Sequence, residues 1–254
     1  MDGKKLLEVF HKELRAEAVT PGYIREDTGE VVRHVSQHKE RGFILDSRIT
    51  MQNAAAVIQK QIDFFQERGE PFEWKVYSYD KPDNLVELLE AHGFITEEEE
   101  ALMVIDHTNK DLSSGFQIAV KELVTQEEIQ SLIALEEEIW GTSHQELGRR
   151  LWRDKQEHPD SLFLYGVWEG GALVSGAWMY LEQNSSFASL WGGSTLPEFR
   201  KKGYYTALLA ARAQKAAEQG YPYLMVDASP MSRPILERNG FQCLAYSYEC
   251  QSPE

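Results

Sequence analysis

The chain has 254 residues and a formal net charge of −15, with 26 lysines and arginines against 41 aspartates and glutamates. That imbalance argues against general nucleic-acid binding, which rests on neutralising phosphates. It suits solubility, and it also favours cationic substrates through electrostatic steering. With 42% hydrophobic residues, 18 Gly and 9 Pro, the composition supports one large core or two modest ones. No apolar run approaches the roughly 20 residues that span a bilayer, and residues 1–7 lack a secretory h-region. Cys243 and Cys250 are the two cysteines and imply no disulfide framework. The expectation is a cytoplasmic protein that engages neither membrane nor nucleic acid.

In chain order, His34 and His38 stand one helical turn apart; without a third ligand at sensible spacing they are read as exposed histidines on a helix, not as a metal site. Residues 43–46 suggest a strand, 52–68 a helix and 74–79 a second strand. A further helix then ends in Gly93-Phe94. Glu97 to Glu100 reads as a solvated loop or strand edge, and residues 108–112 as a link. Beyond it, residues 115–120 suggest a strand, and Thr125 with Glu128 forms a capping-box pattern that opens a helix through Trp140. A short helix follows at 144–156. Strands at 161–168 and 172–180 meet at Glu169-Gly170-Gly171, a turn suited to a hairpin because glycine tolerates positive φ. A strand at 186–195, a helix at 204–219 and a strand at 223–229 form a β-α-β crossover, which implies a parallel pair. A helix from Ser232 runs to Gly240-Phe241, and a strand pair over 242–250 completes the reading.

The most informative stretch is 190–206. Small residues Gly192, Gly193 and Ser194 break a strand, and a turn with Arg200, Lys201, Lys202 and Gly203 follows. Apolar residues then recur at Tyr204, Ala207, Leu208 and Ala211, as on one helix face. Strand, basic glycine turn and helix start bind phosphate, because free N–H groups and the positive end of the helix dipole point into the turn.

Arg200-Lys201-Lys202-Gly203-Tyr204-Tyr205 resembles the Q/R-x-x-G-x-G/A signature of the GNAT N-acetyltransferase superfamily. It departs at the last position, Tyr205. Ser232 to Phe241 resembles that family's closing helix and turn. The resemblance implies a mixed α/β fold of the GNAT acyl-CoA N-acyltransferase type. A weaker echo, Gly69-Glu70-Pro71-Phe72 against Gly220-Tyr221-Pro222-Tyr223, suggests a tandem with a degenerate N-terminal half. Domains of 1–110 and 111–254 are expected, the second alone binding acetyl-CoA.

By the same resemblance, Gly193, Ser194 and Thr195 offer backbone groups to pantetheine. The N–H groups from Lys201 through Tyr204, Tyr205 and Thr206 hold the pyrophosphate, with charge from Arg200, Lys201 and Lys202. Leu236 stands where the family often has a tyrosine acid, and Ser189 where some members carry a basic glutamate. Asp227 and Ser229 are the remaining polar candidates for catalysis, although Asp227 also suits a turn cap. Trp140, Trp152, Trp168, Trp178 and Trp191 are mostly core, with one or two facing substrate. The implied reaction is direct acetyl transfer from acetyl-CoA to a primary amine of a small molecule, without a metal. Transfer to a protein or peptide, and a non-catalytic acyl-CoA sensor, stay open. The oligomeric state is not legible.

Overall fold

The computed structural model describes residues 2–108, 110, 112 and 117–253. Its elements in chain order are α1 (Gly3–His11), continued by a π-helical turn over Lys12–Ala16, β1 (Tyr23–Asp27), β2 (Val31–Ser36), β3 (Gly42–Ser47), α2 (Ala54–Arg68), β4 (Phe72–Tyr77), α3 (Leu85–Ala91), β5 (Ile95–Thr96) and β6 (Glu100–Asp106). They continue as β7 (Lys121–Leu123), α4 (Gln126–Trp140), α5 (Gln145–Glu157), β8 (Leu162–Glu169), β9 (Ala172–Leu181) and β10 (Phe187–Thr195). A 3₁₀ turn at Pro197–Phe199 precedes α6 (Tyr204–Glu218), β11 (Tyr223–Ala228), α7 (Arg233–Arg238) and β12 (Gln242–Gln251). Two compact units result. One comprises Met1–Val104, Gln183–Ser185 and Asp227–Glu254, the other Ile105–Glu182 and Ser186–Val226.

In the first unit, β1, β2 and β3 pair antiparallel in turn, and β3 pairs parallel with β4. Strand β12 pairs antiparallel with β4 on one edge and with β5 and β6 on the other. Helix α2 places Val57, Ile58, Ile62 and Phe65 on one stripe, the spacing that buries one helix face. These pack with Ile44, Phe72, Trp74, Leu85, Leu89 and Cys250. Each such fully buried side chain contributes about 2 kcal/mol. Gly42 lets α2 approach closely, since a Cβ there would lie 2.4 Å from Phe65.

In the second unit, β7, β8, β9 and β10 pair antiparallel in sequence, and β10 pairs parallel with β11. The capping box forms as expected: the Thr125 hydroxyl accepts from the Glu128 N–H, and the Glu128 carboxylate accepts from the Thr125 N–H. Helix α4 packs on the sheet face that carries Gly176, where a Cβ would meet Leu132 at 2.3 Å. Helix α6 packs against β8, β9 and β10.

Several expectations are corrected. His34 and His38 do not share a helix: Val31, Val32 and Val35 make that stretch β2, burying His34 and leaving His38 exposed in the loop. Burial lowers His34 to about 4. The pair of strands expected over 242–250 is one strand, bulged between Cys243 and Ala245. Residues 117–120 are not extended in a sheet, the strand lying instead at β7; Gly115 and Phe116 lie outside the described residues. Of the run read as loop or strand edge, Glu100 is the first residue of β6. Both cysteines are free thiols, Cys250 fully buried.

Candidate functional site

The site begins where β10 leaves β11. Parallel pairing covers Phe187, Ala188 and Ser189 against Tyr223, Leu224 and Met225, and stops there. On its other edge β10 stays paired with β9 but slips register between Gly192 and Ser194. The small residues make this bulge possible. Gly192 has φ +66° and Gly193 +90°, conformations that cost an L side chain dearly. A Cβ on Gly192 would sit 2.4 Å from the Trp178 indole.

Beyond the bulge the chain makes its 3₁₀ turn and enters the basic loop. Arg200, Lys201 and Lys202 are exposed. The Arg200 Nε donates to the Thr195 carbonyl at 3.1 Å, tying the loop to the strand end. Lys201 takes φ +64° and Gly203 +89°. Gly203 is the N-cap of α6 and brings no side chain to the N–H groups of Tyr204, Tyr205 and Thr206. Those donors, the positive end of a 15-residue helix and three cations converge on one exposed turn. The Tyr204 ring turns away, its hydroxyl donating to Glu169 at 2.6 Å. The Tyr205 ring packs on Gly193, with Cε2 2.8 Å from where a Cβ would stand.

Two buried charges grip the bulge. Arg212 of α6, 2% exposed, donates to the Trp178 carbonyl at 3.3 Å and to the Trp191 carbonyl at 3.2 Å. It satisfies carbonyls of both strands beside the slip, and burial lowers its pKa to about 10. From α4, Glu136, 3% exposed, accepts from the Ser194 hydroxyl at 2.8 Å and from the Trp140 indole at 3.0 Å. Burial holds its carboxyl above the ordinary carboxylate range. A second carboxylate, Glu182, accepts from the Ser189 hydroxyl, which in turn accepts from the Trp191 indole at 2.8 Å. Burial pushes Glu182 up to about 6. Ser189 is thus a donor to a carboxylate. Trp140 and Trp191 are the tryptophans on this side that stay well exposed, at 61% and 49%, whereas Trp178 is core.

This strand, bulge, basic turn and helix fall inside residues 129–241, which match the family model described as acetyltransferase (GNAT) family. Residues 129–241 are a GNAT acetyltransferase domain. No curated protein sequence matches the chain. Among solved structures, a GCN5-related N-acetyltransferase from Kribbella flavida is similar at 13% identity and a TM-score of 0.66, over 99% of this chain and 94% of that one. A functionally unknown conserved protein from Staphylococcus epidermidis gives 12%, 0.69, 97% and 98%. A tandem GNAT protein from the clavulanic acid biosynthesis pathway gives 13%, 0.57, 94% and 86%. The fold is therefore a tandem GNAT fold, with the mixed sheets expected from the sequence.

The other polar candidates near the GNAT closing helix are already engaged. Asp227 belongs to the first unit, where its carboxylate meets Lys75 Nζ at 3.2 Å and accepts from Tyr77 at 3.3 Å and Ser247 at 2.9 Å. The Ser229 hydroxyl accepts from the Ser232 N–H at 3.4 Å in the turn that opens α7. Leu236 is fully buried.

The first unit also contains a parallel strand pair. Strands β3 and β4 share the same three-residue parallel register, Gly42, Phe43 and Ile44 against Phe72, Glu73 and Trp74. Past it, a side chain of the chain itself bridges the two strands. Arg15, 1% exposed, donates through Nε to the Leu45 carbonyl at 2.6 Å and through both terminal nitrogens to Asp80 at 2.6 and 2.7 Å. It also stacks 4.6 Å from the Tyr77 ring centroid. Sequence reading did not foresee Arg15, Glu136 or Glu182. For Glu136 a signal existed: Ile129, Leu132, Ile133 and Glu136 follow the i, i+3, i+4, i+7 spacing of a buried stripe.

Proposed function

We propose that the chain is an N-acetyltransferase that moves acetyl from acetyl-CoA to a primary amine of a small molecule. The observation that carries this reading is the pair of features on one strand: a bulged β10 unpaired with β11 beyond Ser189, leading directly into the cationic, side-chain-free start of α6. An extended pantetheine finds unpaired strand backbone there, and its pyrophosphate finds N–H donors and charge from Lys201 through Thr206. Gly193, Ser194 and Thr195 are the proposed pantetheine contacts, and Arg200, Lys201 and Lys202 the proposed charges. The acidic chain and the exposed indoles of Trp140 and Trp191 suit a cationic acceptor.

We further propose residues 1–110 and 111–254 as the two repeats, with one acetyl-CoA site per chain, because Arg15 holds the corresponding place in the first repeat. Isothermal titration with acetyl-CoA tests the site. The expectation is one equivalent bound per chain, with affinity at least tenfold weaker in an Arg200→Ala/Gly203→Glu double variant. A second reading, a non-catalytic acyl-CoA sensor, is favoured by Leu236 filling the position of a family acid. Amine-dependent thiol release from acetyl-CoA separates the two.

A further inference from the structure

We propose that Glu136 is the proton acceptor of the acetyl transfer, its carboxylate taking the proton of the incoming ammonium beside the β10 bulge. The inference rests on the acetyl-CoA site proposed above. Glu136 sits one turn before the end of α4, and one oxygen, Oε2, is held by Ser194 and Trp140. The other, Oε1, is buried and has no hydrogen-bond partner among the described residues. A buried carboxylate oxygen without a donor costs free energy, so such groups call for an explanation. Here the missing donor is supplied by an ammonium N–H. Ser194, itself one of the proposed pantetheine contacts, fixes the carboxylate to the bulged strand beside Gly193.

A primary alkylammonium near neutral pH must lose a proton before its nitrogen can attack. One proton goes to Glu136, the nitrogen lone pair forms the C–N bond, the C–S bond breaks with its electron pair on sulfur, and the second proton, lost from nitrogen as the neutral amide forms, passes to the departing thiolate to give the CoA thiol. Burial raises the Glu136 carboxyl, which makes the ionised form a stronger base than an exposed glutamate. The charged group facing it is His144, from the link between α4 and α5, whose protonated form acts in the opposite direction; the strand presents the Ser194 hydroxyl and α4 itself the Trp140 indole. Glu182 is the competing carboxylate. It lies past the end of β9, beside Ser189, in the part of β10 still paired with β11, whereas Glu136 lies beside the unpaired part.

The test compares wild type, Glu136→Gln and Glu182→Gln. Calorimetry with acetyl-CoA comes first: no binding by wild type removes the site reading itself, and the proposal with it. Thiol release is then followed with saturating acetyl-CoA and a mixture of n-butylamine, cadaverine and spermidine from pH 5.5 to 9. Glu136→Gln is expected to bind acetyl-CoA within about twofold of wild type, yet to lose 10²-fold or more in turnover, in line with removal of a general base, together with the acidic limb of the pH profile. Equal rates in wild type and Glu136→Gln, zero included, overturn the proposal. So does loss of the acidic limb in Glu182→Gln alone.

Discussion

At the scale of single residues, Tyr205 and Gly193 explain one another. The family signature has a small residue where this chain has Tyr205, and its ring lies on a glycine at φ +90°. The ring is therefore packing between helix and strand. Tyr205→Phe is expected to keep acetyl-CoA affinity within about twofold, whereas Tyr205→Ala should lower the unfolding free energy by about 2 kcal/mol. Urea melts and calorimetry read the two effects separately. Gly193→Ala meets both the ring and a left-handed backbone, and should cost about 1–3 kcal/mol in the same melts. The glycines and basic residues of this turn were legible because their chemistry is local. For Glu136 the spacing of α4 carried its burial but not the strand it faces, so it was not singled out.

At the scale of elements, the two parallel pairs, β3 with β4 and β10 with β11, begin in the same way and end differently. In the second unit the glycines bulge β10 between Gly192 and Ser194, and its pairing with β11 ends at Ser189. In the first, the π-helical turn after α1 delivers Arg15 to the Leu45 carbonyl and Asp80. Removing one partner of so buried a pair leaves the other charge uncompensated, so Arg15→Ala should cost about 3–5 kcal/mol. Calorimetry on that variant should still show one acetyl-CoA per chain, since no basic glycine turn follows β3. Two equivalents would mean that Arg15 alone closes a working site. On the exposed side, Thr125→Ala should cost about 1 kcal/mol through the lost cap of α4, read by the urea midpoint.

At the scale of the whole molecule, the excess of acid is partly internal. Lys75 of β4, 8% exposed by side chain, is ringed by Asp227 at 3.2 Å, Glu249 at 3.0 Å and Glu100 at 3.6 Å. Burial, with the neighbouring carboxylates, raises Glu73 and Glu100 to about 7 from 4.5. A carboxyl raised on folding keeps its full contribution to stability below about pH 4.5 and loses it as pH climbs to 7. His34, lowered to about 4 from 6.5, works in the opposite sense, its contribution being lost as pH falls through that window. A variant isolates the acid: Glu73→Gln should raise the melting temperature at pH 8 and leave it nearly unchanged at pH 4.5. An equal shift at both would place the effect in packing.

Among the described residues, no helix is long and apolar enough to cross a membrane. The sequence by itself determined the order of elements from Gln126 through α7, the cap of α4, the hairpin glycines and the cationic glycine turn before α6. Each of these depends on neighbours within one or two turns of chain, where spacing and propensity act directly. Only the tertiary structure decided that His34 is a strand residue in a core, that Arg15 bridges β3 and β4, and that Glu136 faces the β10 bulge. The last two rest on pairs separated by 30 to 65 positions, and no local pattern encodes which distant backbone a side chain will meet.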